Sequence, residues 1–247
     1  MACILIKLFK KKPIVYLRSD GYGEYKSILG FFGPAIYHFM FSIISQISLL
    51  ISCREYILRN KPGEIVAPSQ ISSQWLTDYK EPEINKSRLL YVGRIRKEKG
   101  IYSLLNLIKE IKTDLTLSIV GAEKNSLTQI KQDNVHVHEV ENNEKNLIKF
   151  YDDHNIFILP SYTEGHPMAL LEALSRLRPV IIFKDIEHVV GNKRGIFVAE
   201  RNSSSLLELI NYIKKNYKNI QQEMKSNKLP TKEQFISKLG DLISRSI

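Results

Sequence analysis

Residues 156–174, IFILPSYTEGHPMALLEAL, show the clearest structural pattern in the sequence. The four apolar residues Ile156–Leu159 predict a buried strand, and residues 160–167 form a polar loop after it. The helical pattern of Met168–Arg176 follows, and Pro167 suits a helix start because its missing N–H costs nothing there. A strand, a loop and a helix in this order predict one unit of an α/β fold.

The same unit recurs throughout the carboxyl-terminal part of the chain. Continuous apolar strands between amphipathic helices indicate a parallel sheet covered on both faces. The prediction is therefore a doubly wound sheet whose ligands lie beyond the carboxyl ends of its strands. The predicted strands are Leu89–Val92, Leu115–Val120, Val135–Val137, Ile156–Leu159, Val180–Phe183 and Gly195–Val198, and the predicted helices are Ile101–Ile111, Ser126–Gln132, Glu144–Asp152, Met168–Arg176 and Ser204–Lys215.

The amino-terminal part has a weaker α/β pattern. Strands are predicted at Pro13–Leu17, which ends in the polar turn 18–21, and at Leu49–Ser52 and Ile65–Ala67. The predicted organisation is a partial amino-terminal domain at 1–80, a linker at 81–87, a carboxyl-terminal domain at 88–230 and a final helix at 231–247.

One uncharged stretch, Pro34–Ser52, has about the length of a membrane span. Pro34, His38, Gln46 and several serines dilute it. The favoured interpretation is a helix at Ala35–Ser45 and a buried strand at Ile47–Ser52, with interfacial membrane contact as the alternative.

Composition sets broad limits on function. The chain has 247 residues, 43% of them hydrophobic and 25% charged, which is ordinary for a globular protein. Cys3 and Cys53 form no CxxC pair, and we expect two reduced thiols. The first 13 residues have the wrong order of charge and apolar residues for a secretory signal. The net charge of +10 permits nucleic acid, anionic lipid or phosphate-bearing partners without choosing among them.

Two carboxylates follow the strand at 156–159. Glu164 lies in the loop, and Glu172 lies about one and a half turns into the helix. Gly165 permits close approach, and the free N–H groups of a helix start bind anions or hydroxyls. Such a site could accept hydrogen bonds from sugar hydroxyls. The alternative is a capped helix with two surface glutamates.

A second segment, residues 93–100, follows the strand at 89–92. Arg94 and Lys99 occupy a strand-to-helix crossover, where phosphate binding is expected, and could meet a diphosphate without a metal ion. The alternative is a solvated run of charges. His136 and His138 face one side of a strand, but no third metal ligand has recognisable spacing, so we expect ordinary strand histidines.

Together the two segments resemble the donor site of the retaining glycosyltransferases of the GT-B type, family four. Those enzymes carry a glycine-arginine-x4-lysine-glycine segment and an E-x7-E motif, which match here Gly93, Arg94, Lys99 and Gly100 and the pair Glu164 and Glu172. Pro179–Ile181, Asp185–Glu187 and Gly121 also agree, whereas Leu177 and Glu139 stand where the family usually has glycine. The resemblance covers Arg88–Lys215 well and Pro13–Asp78 weakly.

The resemblance implies a role for each matched residue. Arg94 and Lys99, with Gly93 beside them, would hold the nucleotide diphosphate, and Glu172 would hold the ribose hydroxyls. Glu164 would act on the donor sugar, beside the loop residues Gly165, His166 and Pro167. No metal and no cofactor would be needed in the transfer step. Asp20 follows a strand where the family often places a catalytic or acceptor-positioning residue; the alternative is an ordinary turn aspartate.

These implications predict an α/β, GT-B-like glycosyltransferase that acts with retention. It would move a sugar from a nucleotide-sugar to a glycan or lipid-linked acceptor in surface polysaccharide synthesis. We expect it in the cytoplasm, with possible peripheral contact at the inner face of the membrane and no nucleic-acid partner. Two alternatives stay open: a truncated, degenerate or partner-dependent sugar-nucleotide-binding protein, and a basic α/β module that binds nucleic acid or membrane by charge alone.

Overall fold

A computed structural model describes residues 2–123 and 130–245 of the chain. Its internal contacts divide the chain into two compact units. The smaller unit contains residues 1–70 and 230–247, and the larger unit contains residues 71–229. All six strands that are predicted between residues 89 and 198 belong to the larger unit.

The smaller unit is built on three parallel strands in the order β1-β2-β3. A short helix precedes β1, a helical pair connects β1 to β2, and a helix closes the unit at Lys232–Ser244. The elements in chain order are α1 (Ala2–Leu8), β1 (Ile14–Leu17), α2 (Gly21–Leu29), α3 (Gly33–Ile47), β2 (Leu49–Ser52) and β3 (Glu64–Ile65).

The apolar stretch at 34–52 divides into α3 and β2, as predicted. The 15-residue α3 ends at Ile47, and Ser48 provides the extended residue that leads into the strand. None of the helices within residues 2–123 and 130–245 has the length and apolar character needed to cross a membrane.

The larger unit is a six-stranded, wholly parallel sheet in the order β6-β5-β4-β7-β8-β9. Its elements are β4 (Ser87–Val92), α4 (Ile101–Glu110), β5 (Leu115–Ala122), β6 (Val135–Glu139), α5 (Glu144–Asp153), β7 (Ile156–Leu159), α6 (Met168–Ser175), β8 (Val180–Phe183), β9 (Ile196–Ala199) and α7 (Ser203–Met224). The predicted α/β class with a doubly wound parallel sheet is confirmed.

Burial explains why the strands could be found from local sequence. Every residue of β7 and β8 is buried, because the sheet is covered on both faces, and this gives the unbroken apolar runs. The covering helices bury one face each; α4, for example, buries Ile101, Leu104 and Ile108.

The strand order reverses between β4 and β7, which lie side by side at the centre of the sheet. The chain leaves β4 towards β5 on one side and leaves β7 towards β8 on the other. Such a reversal opens a crevice at the carboxyl ends of the two strands, where α/β folds bind ligands. The two segments with predicted site residues, 93–100 and 160–167, are the loops that follow these two strands.

Several local predictions need correction. The predicted turn at 18–21 leads directly into α2, a helix that was not predicted: Gly21 is its first residue, and the Asp20 side chain caps it by accepting from the Tyr22 N–H at 3.2 Å. The predicted helix Ser204–Lys215 continues to Met224, across a non-helical residue at Asn216. Of the predicted helix Ser126–Gln132, residues 126–129 lie outside the described residues, and residues 130–132 are not helical.

The segment before β4 belongs to the larger unit from Ile71 onward, so the contacts divide the chain before the predicted linker at 81–87. The physical reason is a pair of buried arginines. Arg176 donates to the carbonyls of Trp75, Thr77 and Asp78, and Arg178 donates to the carbonyl of Lys80.

Candidate functional site

The loops that follow β4 and β7 touch each other directly. The Tyr162 N–H donates to the Glu98 carbonyl at 3.0 Å. Gly100 has a φ of +66°, and a Cβ atom there would lie 1.9 Å from the Pro160 carbonyl oxygen. Only glycine accommodates both the left-handed backbone and this approach, so Gly100 permits the two loops to form one site.

Glu164 is held at the meeting point of these loops. Its Oε1 atom accepts from the Lys99 ammonium and from the Ser161 hydroxyl, each at 2.7 Å. The side chains are mostly shielded from solvent, with 24% of Lys99 and 11% of Glu164 exposed. A His188 ring nitrogen lies 2.8 Å from the Glu164 backbone oxygen. The sequence-predicted pair of a cation and a carboxylate is therefore brought together, and it is pre-oriented from three directions.

Glu172 lies inside the helix α6 and is buried. The Tyr151 hydroxyl donates to its Oε2 atom at 2.8 Å, and Tyr151 in turn packs edge-on against Trp75. Burial raises the pKa of the Glu172 carboxyl, and the Tyr151 hydrogen bond opposes part of that rise. Within the described part of the chain, no hydrogen bond reaches the other oxygen, Oε1. That oxygen retains its capacity to accept from a bound hydroxyl.

The alternative of two surface glutamates does not describe these side chains. Glu172 is 7% exposed, and the Glu164 side chain is engaged by two donors. Both carboxylates depend on partners distant in sequence.

The loop that follows β4 places its backbone and the Arg94 cation at the same edge of the sheet. The Gly93 N–H donates to the Val120 carbonyl at 2.8 Å, and the buried Tyr91 hydroxyl donates to the Arg94 carbonyl at 2.9 Å. The Arg94 side chain is exposed. Gly121 has a φ of +120°, and a Cβ atom there would lie 2.6 Å from the Gly93 carbonyl oxygen. Glycine at 121 therefore leaves room for this loop.

The loop after β7 runs through Gly165 and His166, both half-buried, to a buried Pro167. Pro167 is the N-cap residue of α6, and Met168 is the first helical residue. Pro167, expected at the first helical position, lies one residue before it, at the N-cap. The predicted start of a helix in this segment is confirmed.

Sequence reasoning missed Arg201, which contacts the loop that follows β7. It donates to the Asp185 carboxylate at 2.6 Å and to the Pro160 carbonyl at 3.1 Å. Its guanidinium also stacks over the rings of Tyr162 and Phe183, at 4.1 and 4.4 Å from their centroids. Arg201 follows β9 in a segment without a motif, so no local signal pointed to it.

Asp20 lies in the smaller unit. Besides capping α2, its carboxylate forms an ion pair with Arg59 at 3.3 Å. These contacts give Asp20 a structural role, and its catalytic role stays a prediction.

The strand histidines lie on β6, where His138 packs against the ring of Phe150. Burial and the neighbouring His136 lower the pKa of His138. Over residues 2–123 and 130–245, no three His, Cys, Asp or Glu side chains are grouped as a metal site would require.

Comparison with known proteins gives a family match over most of the larger unit. The model of the family "Glycosyl transferases group 1" matches residues 77–229. The chain is 28% identical over 123 residues to TuaC of Bacillus subtilis, named as a teichuronic acid biosynthesis glycosyltransferase, covering 49% of this chain and 31% of TuaC. It is also 28% identical over 131 residues to the capsular polysaccharide biosynthesis glycosyltransferase CapM of Staphylococcus aureus, covering 49% of this chain and 34% of CapM. The matches thus span about a third of each curated relative.

Solved structures support the fold over nearly the whole chain. Anabaena HepE in complex with UDP-glucose superposes with a TM-score of 0.75 at 12% identity, covering 99% of this chain and 75% of HepE.

Proposed function

This chain belongs to the glycosyl transferases group 1 family, and we propose that it transfers a sugar from a nucleotide-sugar donor to a glycan or lipid-linked acceptor. The observation that carries the proposal is the Lys99–Glu164 pair at the point where the strand order reverses, beside the buried Glu172. The names of TuaC and CapM support surface polysaccharide synthesis as the process.

In this proposal the donor lies across the carboxyl ends of β4 and β7. Glu172 accepts the ribose hydroxyls through Oε1, because Tyr151 already occupies Oε2. Arg94 and Lys99 meet the diphosphate, which needs fixed cations at its oxygens. Glu164 accepts from the hydroxyls of the transferred sugar, while Ser161 and Lys99 hold its carboxylate in place.

The reaction would break the bond between the anomeric carbon of the donor and the diphosphate oxygen. The bonding electron pair leaves with the diphosphate, while the acceptor hydroxyl oxygen forms the new bond to the anomeric carbon and its proton passes to an oxygen of the departing diphosphate. Negative charge therefore grows on the leaving group in the transition state. Cations preorganised at that position, such as Lys99, stabilise the transition state more than the ground state. We propose retention of configuration, as in the enzymes that the two motifs resemble.

The same proposal extends to the acceptor substrate. A glycan or lipid-linked acceptor would meet the donor sugar near Glu164, with peripheral contact at the inner face of the membrane. Asp20 is the candidate acceptor-positioning residue, and its ion pair with Arg59 would have to open for that role.

Calorimetric titration with nucleoside diphosphates tests donor binding separately from transfer. We expect a nucleoside diphosphate to bind, and Glu172→Ala to weaken binding by about tenfold or more, since a charged acceptor is lost. No binding of any nucleoside diphosphate would remove the donor-site proposal and favour a basic module.

Radiolabelled sugar transfer to a lipid-linked acceptor then tests the reaction. Donor binding without transfer to any acceptor would reduce the protein to a sugar-nucleotide-binding chain or a partner-dependent subunit. Transfer that is lost in Glu164→Gln, with nucleoside diphosphate affinity retained, is the expected result.

A further inference from the structure

The smaller unit presents an apolar surface that the donor site does not use. It is carried by α2, by α3 and by the turn that joins them, and we call it the hairpin surface. Its exposed members are Ile28, Leu29, Phe31, Phe32, Ile36, Phe39 and Met40. Single exposed apolar residues are normal on a protein surface, but a contiguous set of this kind marks an interaction site.

The turn is the most exposed part of the hairpin surface. Phe31 is 91% exposed and Phe32 is 70% exposed, and the two rings contact each other edge-on at 5.6 Å. Ile28, at the end of α2, is 74% exposed. Three large apolar side chains thus project from one tip, in a segment whose backbone turns at Gly30 with a φ of +61°.

The surface continues along α3. Of the fifteen residues of α3 only Gly33 and Phe41 are buried, although the helix is strongly apolar. Ile36, Phe39 and Met40 lie on one face at the helical spacing i, i+3 and i+4. The packing of Tyr37 against Phe41 holds the opposite face within the unit. The outer face of α3 is therefore an apolar stripe directed away from its own core.

The charges in the part of the chain that carries the hairpin surface are mostly positive. Between residues 1 and 52 the sequence holds six Lys and Arg residues against two acids, Asp20 and Glu24. Lys26 lies in the last turn of α2, and exposed lysines follow α1 at residues 10–12. The helix α1 contacts α3, and Pro13 pairs with Leu49 just beyond the carboxyl end of α3. Cations therefore flank the apolar stripe at both ends.

We infer that the hairpin surface binds the surface of an anionic lipid bilayer, with Phe31 and Phe32 inserted among the lipids. An exposed apolar face with lysines around it matches such a surface, because apolar side chains enter the acyl boundary while cations stay at the headgroups. A second copy of the chain is disfavoured, since pairing two such surfaces would bring like charges together on a protein with net charge +10.

Only the purpose that we assign to membrane binding rests on the proposed function: it would bring the donor site to a lipid-linked acceptor. The binding itself is independent of sugar transfer. Nucleoside diphosphate affinity, measured by calorimetry, should be unchanged in every variant of the hairpin surface. A failure of one proposal is therefore distinguishable from a failure of the other.

The test is co-sedimentation of the full chain with vesicles of phosphatidylcholine alone or with phosphatidylglycerol added. We expect binding to the anionic vesicles that weakens at high salt, and weak binding to phosphatidylcholine alone. Phe31→Ser with Phe32→Ser should reduce binding by about tenfold or more, because the inserted apolar area is lost. The matched control is Ile236→Ser with Tyr212→Ser, which also removes two exposed apolar side chains and should leave binding unchanged.

A second measurement avoids any dependence on the double variant. Trp75 is the sole tryptophan and is buried, so Phe31→Trp adds one exposed fluorophore. The emission of the Phe31→Trp variant should shift to the blue on addition of anionic vesicles. Equal binding by the double variant and its control would overturn the inference. So would an emission spectrum of Phe31→Trp that anionic vesicles leave unchanged, or a concentration-dependent dimer that the double variant abolishes without any vesicle binding.

Discussion

The Tyr151 hydroxyl donates a hydrogen bond of 2.8 Å to the Glu172 carboxylate, and both side chains are buried. Burial penalises the charged carboxylate, and this hydrogen bond favours it. The Ala169 carbonyl oxygen lies 3.2 Å from the same hydroxyl, so both polar neighbours of the Tyr151 hydroxyl belong to the helix that carries Glu172. The geometry makes Tyr151 the residue that positions Glu172, which we propose accepts hydrogen bonds from the ribose hydroxyls.

Tyr151→Phe should therefore change the pH dependence of donor binding. Ribose hydroxyls bind the ionised carboxylate, so affinity should rise as the pH rises through the pKa of Glu172. Loss of the hydrogen bond removes the contribution that lowers this pKa, and the rise should move to higher pH. Near neutral pH we expect donor affinity to fall by about three- to tenfold. Calorimetry across a pH series measures both effects.

The matched control is Tyr217→Phe. The Tyr217 hydroxyl is also buried and donates to the Asn155 carbonyl at 2.6 Å, but it does not contact Glu172. Both variants should lose some stability, and only Tyr151→Phe should shift the pH profile. A profile that stays in place in Tyr151→Phe would show that Tyr151 is merely structural.

Glu172 should also leave a signature in stability. Its pKa in the folded protein is raised, so the folded state holds the proton more tightly than the unfolded chain does. The favourable contribution of the protonated group is present below the ordinary carboxyl pKa and is lost as the pH rises through the raised value. Glu172→Gln should remove this decline of the free energy of unfolding, as urea denaturation at several pH values would reveal. An unaltered pH slope in the Gln variant would contradict the burial argument.

Lys99→Gln should weaken binding of nucleoside diphosphate by about tenfold, because a charge-assisted contact to the diphosphate is lost. The salt dependence of binding should become shallower. Lys97 is the control, since it lies in the same short turn, Lys97–Lys99, and is exposed. Lys97→Gln should change affinity by less than about threefold. Equal losses in the two variants would mean that general positive charge, and no particular lysine, attracts the ligand.

Local sequence was sufficient to predict the strands of the larger sheet and the loops that carry the candidate site. The strands Ile156–Leu159 and Val180–Phe183 have the predicted bounds, because a strand buried on both faces is apolar at each position. The helix α2 was missed because its first and third residues, Gly21 and Gly23, are poor helix formers. The cap from Asp20 outweighs that weak preference.

The partners of the site residues could not be predicted in the same way. Lys99 and Glu164 are 65 positions apart, and Tyr151 and Glu172 are 21 apart. Tyr151 looked like any apolar residue on an amphipathic helix. Which side chains meet is decided by the order of strands in the sheet, and periodicity within one element does not contain that order.

Leu177 illustrates what a departure from the family pattern means physically. It follows α6 with a φ of +55°, a left-handed backbone that explains the glycine usual at this position in the resembling family. A leucine there costs about 1–2 kcal/mol in backbone strain, while its side chain is buried in the core. Leu177→Gly and Leu177→Ala both lose that side chain. Only the glycine relieves the strain, so it should be the more stable of the two by about 1 kcal/mol.

Leu171, buried within α6, supplies the control for that comparison. There the order should reverse, with Leu171→Ala more stable than Leu171→Gly by about 1 kcal/mol. Urea denaturation of the four variants gives both differences. If the alanine variant were the more stable one at both positions, backbone strain at Leu177 would be ruled out.

Arg176 should be among the most important side chains for stability in the larger unit. It is 1% exposed and donates to three backbone carbonyls of the segment 75–78, while it pairs with Asp152 at 2.8 Å. Arg176→Met removes these donors and leaves Asp152 with the longer contact to Arg178, at 3.4 Å. Breaking a buried pair in this way costs about 3–5 kcal/mol.

The loss should appear first in the segment that Arg176 holds. We expect Arg176→Met to lower the midpoint of urea unfolding and to expose residues 75–80 to limited proteolysis. Lys86→Met is the control, because Lys86 pairs with Asp114 at the surface, where both side chains are more than half exposed. That variant should keep the wild-type midpoint, since exposed ion pairs contribute little. If Arg176→Met unfolded at the wild-type midpoint with the segment still protected, the apolar contacts of Trp75 alone would have to anchor it. The extra loss in Arg176→Met with Trp75→Ala, relative to Trp75→Ala alone, would then measure what the guanidinium adds.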